Sequence, residues 1–217
     1  NFADSRAVMD AVDRLVGEPI LGTKIAAKPG TEVVYAPLQA SRVFMSPARI
    51  PRALSPSQFM ECEISFRLTR DLPARSTPYP EQEVFDALEA CPAFELVDSR
   101  FRDLKSAMEN TPYEFYADHI ANGAMVFGGF RKDWQKFDFG KVRVAMKQGV
   151  RTIVEKTGGH PTVNPAIPAV VLANLRRGTT GLKAGTIVVT GSFTGYHPVA
   201  VNQPVTGEFE GFGMMEA

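Results

Sequence analysis

Two cysteines, three histidines and a single tryptophan are all that the 217 residues hold of these types. Cys62 and Cys91 make neither a CxxC motif nor a disulfide framework, so a reducing cytoplasm is the expected setting. His119, His160 and His197 lie far apart and show no HxxxH spacing, which argues against zinc. An excess of one charge is missing too: Lys+Arg and Asp+Glu each count 24. With no basic block, nucleic acid and anionic membranes are not the expected partners. No run approaches the ~18 apolar residues of a membrane helix, and no secretory signal opens the chain. GxGxxG, P-loop and GxSxG signatures are absent, as are internal repeats and low-complexity tracts.

What is present reads as one mixed domain over residues 1–217. Val8, Val12, Leu15 and Val16 fall at helical spacing within residues 4–16. A chain that opens so close to a helix points to a missing N-terminal region. Residues 32–35 and 42–45 are short β-rich runs bounded by Gly30, Pro37 and Pro47. Residues 60–68 alternate strictly: Met60, Cys62, Ile64, Phe66 and Leu68 face one way, Glu61, Glu63, Ser65 and Arg67 the other. Cys62 therefore reads as core. Pro80 suits the first turn of a helix with Val84, Leu88 and Cys91 on its buried face, followed by a strand over 94–97. Residues 103–116 are polar and carry no clear period. Residues 124–127 read as a buried strand, and 142–146 and 150–154 as a hairpin. Asn164 and Pro165 read as the cap and first residue of a helix to about Arg177, and the last third is β-rich. Helices and strands are mixed without βαβα alternation, which gives an α+β class.

The chemistry concentrates on acidic residues in strands. Glu61 and Glu63 share one strand face with Cα atoms roughly 6.5–7 Å apart. Two such carboxylates repel unless one is protonated or a cation lies between them, and hard oxygen donors suit Mg²⁺ or Mn²⁺. Glu95 is a third candidate, because it sits among Pro92, Ala93, Phe94, Leu96 and Val97, where an unpaired carboxylate is costly. Two other readings stay open at this point. Glu-x-Glu is also the pattern of a solvated sheet face, and Glu95 could be satisfied by an arginine.

Several blocks in register carry a resemblance. Leu21-Gly22-Thr23-Lys24-Ile25-Ala26-Ala27, then Glu61-Cys62-Glu63-Ile64-Ser65-Phe66-Arg67-Leu68 with Thr69 to Pro73, resemble the 2-keto-4-pentenoate hydratase / 4-oxalocrotonate decarboxylase family of the fumarylacetoacetate hydrolase superfamily. Pro92-Ala93-Phe94-Glu95-Leu96-Val97-Asp98-Ser99-Arg100-Phe101 is similar to its "P-A-(I/L/F)-E-(I/L)-V-D-S-R" block. Ala117-Asp118-His119-Ile120-Ala121-Asn122-Gly123-Ala124 is similar to "A-D-N-A-S-S-G-A", and residues 181–192 to "L-K-A-G-D-I-V-L-T-G-S".

The resemblance implies a mixed β-sandwich or β-roll with peripheral helices, in homo-oligomers that can associate with a related hydratase or decarboxylase. It implies one Mg²⁺ or Mn²⁺ on Glu61, Glu63 and Glu95, with Lys24 transferring protons to or from a small 2-oxo or 2-hydroxydienoic acid. Without the resemblance, Lys24 reads as a surface lysine. As a proton carrier it would need a pKa lowered by the cation and partial burial. Asp118, Asn122, Thr190 and Ser192 are candidate substrate contacts, with a turn role as the alternative for the last two. Arg100 either braces a metal-binding carboxylate from behind or pairs with Asp98, and His119 is placed by its block to line the pocket. The expected activity is hydration of a 2-hydroxy-2,4-dienoate. The alternatives are 2-oxo acid decarboxylation, acylpyruvate C–C hydrolysis, or a non-catalytic partner subunit. The departures from the family pattern are local. They are Ala27-Lys28-Pro29-Gly30 after the lysine block, a short stretch before Glu61 without a D-(F/Y)-G motif, and His119-Ile120-Ala121-Asn122 where N-A-S-S is usual.

Overall fold

The computed structural model describes residues 1–27 and 31–217, so the departure at Lys28-Pro29-Gly30 lies outside the described residues. The helices are α1 (Phe2–Val16), α2 (Glu81–Phe85), α3 (Leu104–Asn110), α4 (Pro112–Ala117) and α5 (Ile167–Arg176). The strands run β1 (Ile20–Ala26), β2 (Val34–Gln39), β3 (Val43–Met45), β4 (Phe59–Leu68), β5 (Leu88–Val97) and β6 (Asn122–Phe127). They continue as β7 (Arg143–Gln148), β8 (Arg151–Thr157), β9 (Ile187–Ser192), β10 (His197–Pro198), β11 (Val205–Phe209) and β12 (Gly213–Glu216). The larger sheet has the order β2-β1-β9-β4-β5-β6-β3, with β10 paired to β4, and the smaller one has the order β12-β11-β7-β8. The α+β expectation holds.

Local chemistry sets the frame of the site. In α1 the Asn1 side chain accepts from the amides of Ala3 and Asp4, and Gly17 ends the helix at φ 70°. The inner face of α1 packs Met9 into a cluster with Val34, Ala36, Val97, Phe115 and Ile120. A Cβ at Gly207 would stand 2.7 Å from the Phe94 ring, so glycine is what seats β11 on β5. On the other flank Trp134 meets Phe66 and Phe85 edge-on and donates its indole N–H to the Leu88 carbonyl at 3.0 Å. Both faces of β4 are covered, because β4 lies in mid-sheet between β9 and β5.

Gly22 is where β1 runs parallel to β9. A Cβ there would lie 2.2 Å from the Ile187 carbonyl oxygen, a backbone atom that cannot swing aside. Gly22→Ala is expected to cost about 2–3 kcal/mol by overpacking, read as a lower urea midpoint. An unchanged midpoint would mean that β1 and β9 are not held this closely.

The structure corrects three sequence expectations. Leu88 and Cys91 belong to β5, not to a helix, and α2 stops at Phe85. The ten-residue β4 needs a partner along its whole length, and β5 supplies it from Phe59↔Val97 to Leu68↔Leu88. Leaving half of β4 unpaired would orphan its backbone groups, so pairing overrides the helical spacing. Pro92 is tolerated inside β5 because β6 ends beside it, where its carbonyl accepts from Gly128 at 2.8 Å. Pro37 likewise does not bound a strand. It lies within β2, at the edge of the sheet, where a missing donor breaks no ladder. The third correction is the start of α5, which begins at Ile167. Asn164 caps the preceding turn by accepting from Ala166 at 3.0 Å.

Candidate metal centre

The register of β4 against β5 places Glu61 directly opposite Glu95 and Glu63 opposite Ala93. Paired residues share a sheet face, so the three carboxylates converge. One oxygen from each lies within 4.8 Å of the others. Glu63 and Glu95 are 0% exposed and Glu61 is 9% exposed, which excludes the solvated-face reading. The same face continues in an apolar wall of Leu38, Ala93, Met125, Phe127 and Val189.

Lys24 completes the cluster from β1. Three strand steps separate β1 from β5, about 14 Å in a flat sheet. The curl of the sheet closes that gap, and Lys24 Nζ donates to Glu95 Oε1 and, at 2.9 Å, to the Ile120 carbonyl. The Lys24 side chain is 12% exposed, so the surface-lysine reading fails, and the cation beside Glu95 is a lysine rather than an arginine.

The electrostatics are those of a site short of positive charge. Burial pushes Glu61 and Glu63 up to about 8 and Glu95 up to about 7, with repulsion among the carboxylates adding to it. Burial alone would lower the pKa of Lys24, but Glu95, Glu61 and Glu63 outweigh it and the net shift is upward. The lowered pKa expected for a proton carrier rests on a bound cation, and without one the carboxylates hold Lys24 charged. Glu63 Oε1 and Glu95 Oε2 are buried without a hydrogen-bond partner among the described residues. Two buried oxygens left open in this way, within a triad of hard donors, fit a divalent cation.

The other candidates divide. Ser192 lies at the site: it opposes Glu63 across β9 and β4, favours the charged form of Glu61, and accepts from Gly195 at 2.9 Å. Asn122 opposes Val97 on the Glu95 face, and its Oδ1 is buried with no partner among the described residues. Thr190 is buried with its hydroxyl donating to the Ile64 carbonyl at 3.0 Å, a bond within the sheet. Asp118 is taken up by Ser99 at 2.7 Å and by the amide and guanidinium of Arg100. Arg100 therefore pairs with Asp118, and neither with Asp98 nor with a triad carboxylate. The backbone at Arg100 already sits on Asp118, so the short route for its side chain leads there. His119 Nε2 lies 3.1 Å from Asp13 Oδ1, pointing to α1.

Two partners of the triad carry no sequence signal. The Gly191 amide donates to Glu63 Oε2 at 3.3 Å, and Ile120 serves Lys24 through its carbonyl alone. Backbone groups of this kind become visible only once the chain is folded.

His160 lies behind β9. Its Nε2–H donates to the Thr190 carbonyl at 2.9 Å, and its Nδ1 accepts from the Thr162 amide at 3.3 Å. Burial pushes its pKa from 6.5 down to about 4. The folded value lies below the unfolded one, so this contribution is whole above about pH 6.5. It is lost as pH falls toward about 4, where it amounts to up to about 3 kcal/mol. His160→Gln is expected to flatten that acid slope in urea melts at pH 7, 5.5 and 4.5. An equally steep slope in the variant would assign the loss to other groups.

No family model matches the sequence. It is 30% identical over 156 residues to a 2-hydroxyhexa-2,4-dienoate hydratase of Comamonas testosteroni, a match of 70% of this chain and 56% of the relative. It is 29% identical over 210 residues to a 2-keto-4-pentenoate hydratase of Paraburkholderia phymatum, covering 94% of this chain and 78% of that one. The match thus spans little more than half of the Comamonas enzyme. Among solved structures, the 4-oxalocrotonate decarboxylase of Pseudomonas putida G7 superposes with a TM-score of 0.77 at 20% identity, over 100% of this chain and 85% of that one. That protein is described in complexes with calcium and acetate and with magnesium and adipate. A Yersinia pestis structure described as of the fumarylacetoacetate hydrolase family superposes with a TM-score of 0.63 at 16% identity, over 91% of each chain. This chain has the fumarylacetoacetate hydrolase fold. In that fold the triad lies on β4 and β5 in the middle of the large sheet, and both hydratase relatives bear out the resemblance carried by the sequence blocks.

Proposed function

We propose that this protein is a divalent-metal-dependent lyase that hydrates a 2-hydroxy-2,4-dienoate to a 4-hydroxy-2-oxo acid. One observation carries the reading: three buried carboxylates, two of them with an oxygen left without a partner among the described residues, converge beside a buried lysine. Two hydratases among the sequence relatives support it. Glu61, Glu63 and Glu95 would hold Mg²⁺ or Mn²⁺. When bound, such a cation supplies Lewis acidity toward the negative charge that develops at the 2-oxygen.

The chain's own groups do the rest. Lys24 holds a proton at Nζ, fixed between Glu95 and the Ile120 carbonyl, for delivery to the dienol carbon chain. Protonation gives an α,β-unsaturated ketone that water attacks. Ser192 and the Asn122 amide would take the substrate's carboxylate, a reading supported by their positions on β9 and β6. Met125, Phe127 and Val189 wall off bulk water, which strengthens every charge inside. One catalytic unit over 1–217, a cytoplasmic setting and assembly of copies belong to the same reading, and the free, buried Cys62 and Cys91 agree with a reducing compartment.

The test uses freshly made 2-hydroxypenta-2,4-dienoate with Mg²⁺ and then with excess EDTA, and identifies the product by NMR. The expected result is a 4-hydroxy-2-oxo acid that EDTA abolishes. Simple ketonisation with either metal would sink the hydratase reading, and CO₂ release from a 2-oxo diacid would replace it with decarboxylation.

A further inference from the structure

His119, Ile120 and Ala121 have φ of 53°, 55° and 56°, three successive non-glycine residues in the left-handed region. Each position is unfavourable for an L-residue, and such geometry persists only where the surroundings impose it. Here they do so at each residue. Asp118, just before the turn, is gripped by Ser99 and Arg100. His119 donates to Asp13 of α1, which also accepts from Gln39 Nε2 at 2.8 Å. The Ile120 side chain is packed with Met9 and Phe115, and the Ala121 carbonyl accepts from the Asp98 amide at 2.9 Å. The Ile120 carbonyl is left pointing inward, and it accepts from Lys24 Nζ at 2.9 Å.

We infer that this left-handed turn is a positioning device for Lys24, pinned from helix α1 through the Asp13–His119 contact. A lysine ammonium on a flexible stem beside three carboxylates has several acceptors to choose from. A carbonyl fixed by a turn that cannot relax gives it one direction. The device matters most when Glu95 is engaged by a cation, since the carbonyl then remains as the anchor. Asp13 and His119 are positioning residues and touch no reacting atom. This deepens the proposed function, because it rests on Lys24 as the proton carrier.

The test reads Lys24 itself, in metal-free, substrate-free protein labelled with ¹⁵N-lysine. The Lys24 ammonium signal is assigned by its loss in Lys24→Arg, and the exchange rate of its protons is measured. His119→Asn keeps a residue that accepts left-handed backbone but cannot reach Asp13. Asp13→Ala cuts the same contact from α1. Both are expected to speed exchange at least tenfold. In turnover, kcat should fall at least tenfold with KM within threefold, and His119→Gln, which restores a donor to Asp13, should recover most of the loss. Unchanged exchange in both folded variants overturns the inference, even if their melting temperatures drop. If His119→Asn does not fold, Asp13→Ala decides alone. Wild-type protein that turns over no dienoate would count against the hydratase reading while the exchange result still judges this one.

Discussion

Glu63→Gln is expected to make the metal-free protein more stable and the metal-loaded protein inactive. Among the described residues the site holds three buried carboxylates against one ammonium, and Glu63 carries an oxygen that none of them satisfies. An amide of the same shape removes the cost of burying this carboxyl, which near neutral pH folds only by taking up a proton it would not hold in water, worth about 1–3 kcal/mol in the metal-free state. The same change takes away a hard anionic ligand, so turnover should fall about a thousandfold or more. Thermal melts with EDTA and with Mg²⁺ separate the two effects. Wild-type protein should gain about 2.7 kcal/mol at a hundredfold excess of cation over Kd, and the variant close to nothing. A variant that still melts higher with Mg²⁺ would remove Glu63 from the ligand set.

Lys24→Met reverses the signs. Removing the ammonium leaves Glu95 buried beside two other carboxylates with no counter-charge. Breaking a buried pair from one side costs about 3–5 kcal/mol, so the metal-free variant should melt far below wild type. A divalent cation is then the remaining compensation, and Mg²⁺ should bind more tightly than in wild type and restore most of the lost stability. Turnover should nonetheless fall by about 10²–10⁴, the usual share of a positioned proton carrier. Calorimetric titration with Mg²⁺ beside a kinetic assay reads both. Weaker Mg²⁺ binding in Lys24→Met would show that the lysine does not face the cation site.

The two variants together show what was legible in the sequence. Alternation in β4 put Glu61 and Glu63 on one face, and an apolar neighbourhood marked Glu95, so the three carboxylates could be singled out residue by residue, with a solvated face and a salt bridge still open as readings. That this face is buried could not be read, since local period does not record which neighbours cover a strand. The register that sets Glu95 opposite Glu61 and the curl that brings Lys24 across three strands are equally non-local. The helix expected through Leu88 and Cys91 failed for a related reason: spacing of 3.6 suits both, but only a strand satisfies β4. Asp118, expected to contact substrate, and Arg100, expected to brace a metal-binding carboxylate or pair with Asp98, instead bind each other and support the turn. Little in His119-Ile120-Ala121 foretells left-handed backbone: histidine tolerates it somewhat better than most, but Ile120 and Ala121 do not favour it. Contacts from α1, β2 and α4 impose it.

Pro37 within β2 has one more consequence. An outermost strand normally offers passing chains a row of amide donors, a template for unwanted growth into fibrils. With a proline in that row the template is interrupted on the side of the sheet nearest to Lys24. The edge next to the strand that carries Lys24 is thereby guarded against strand addition.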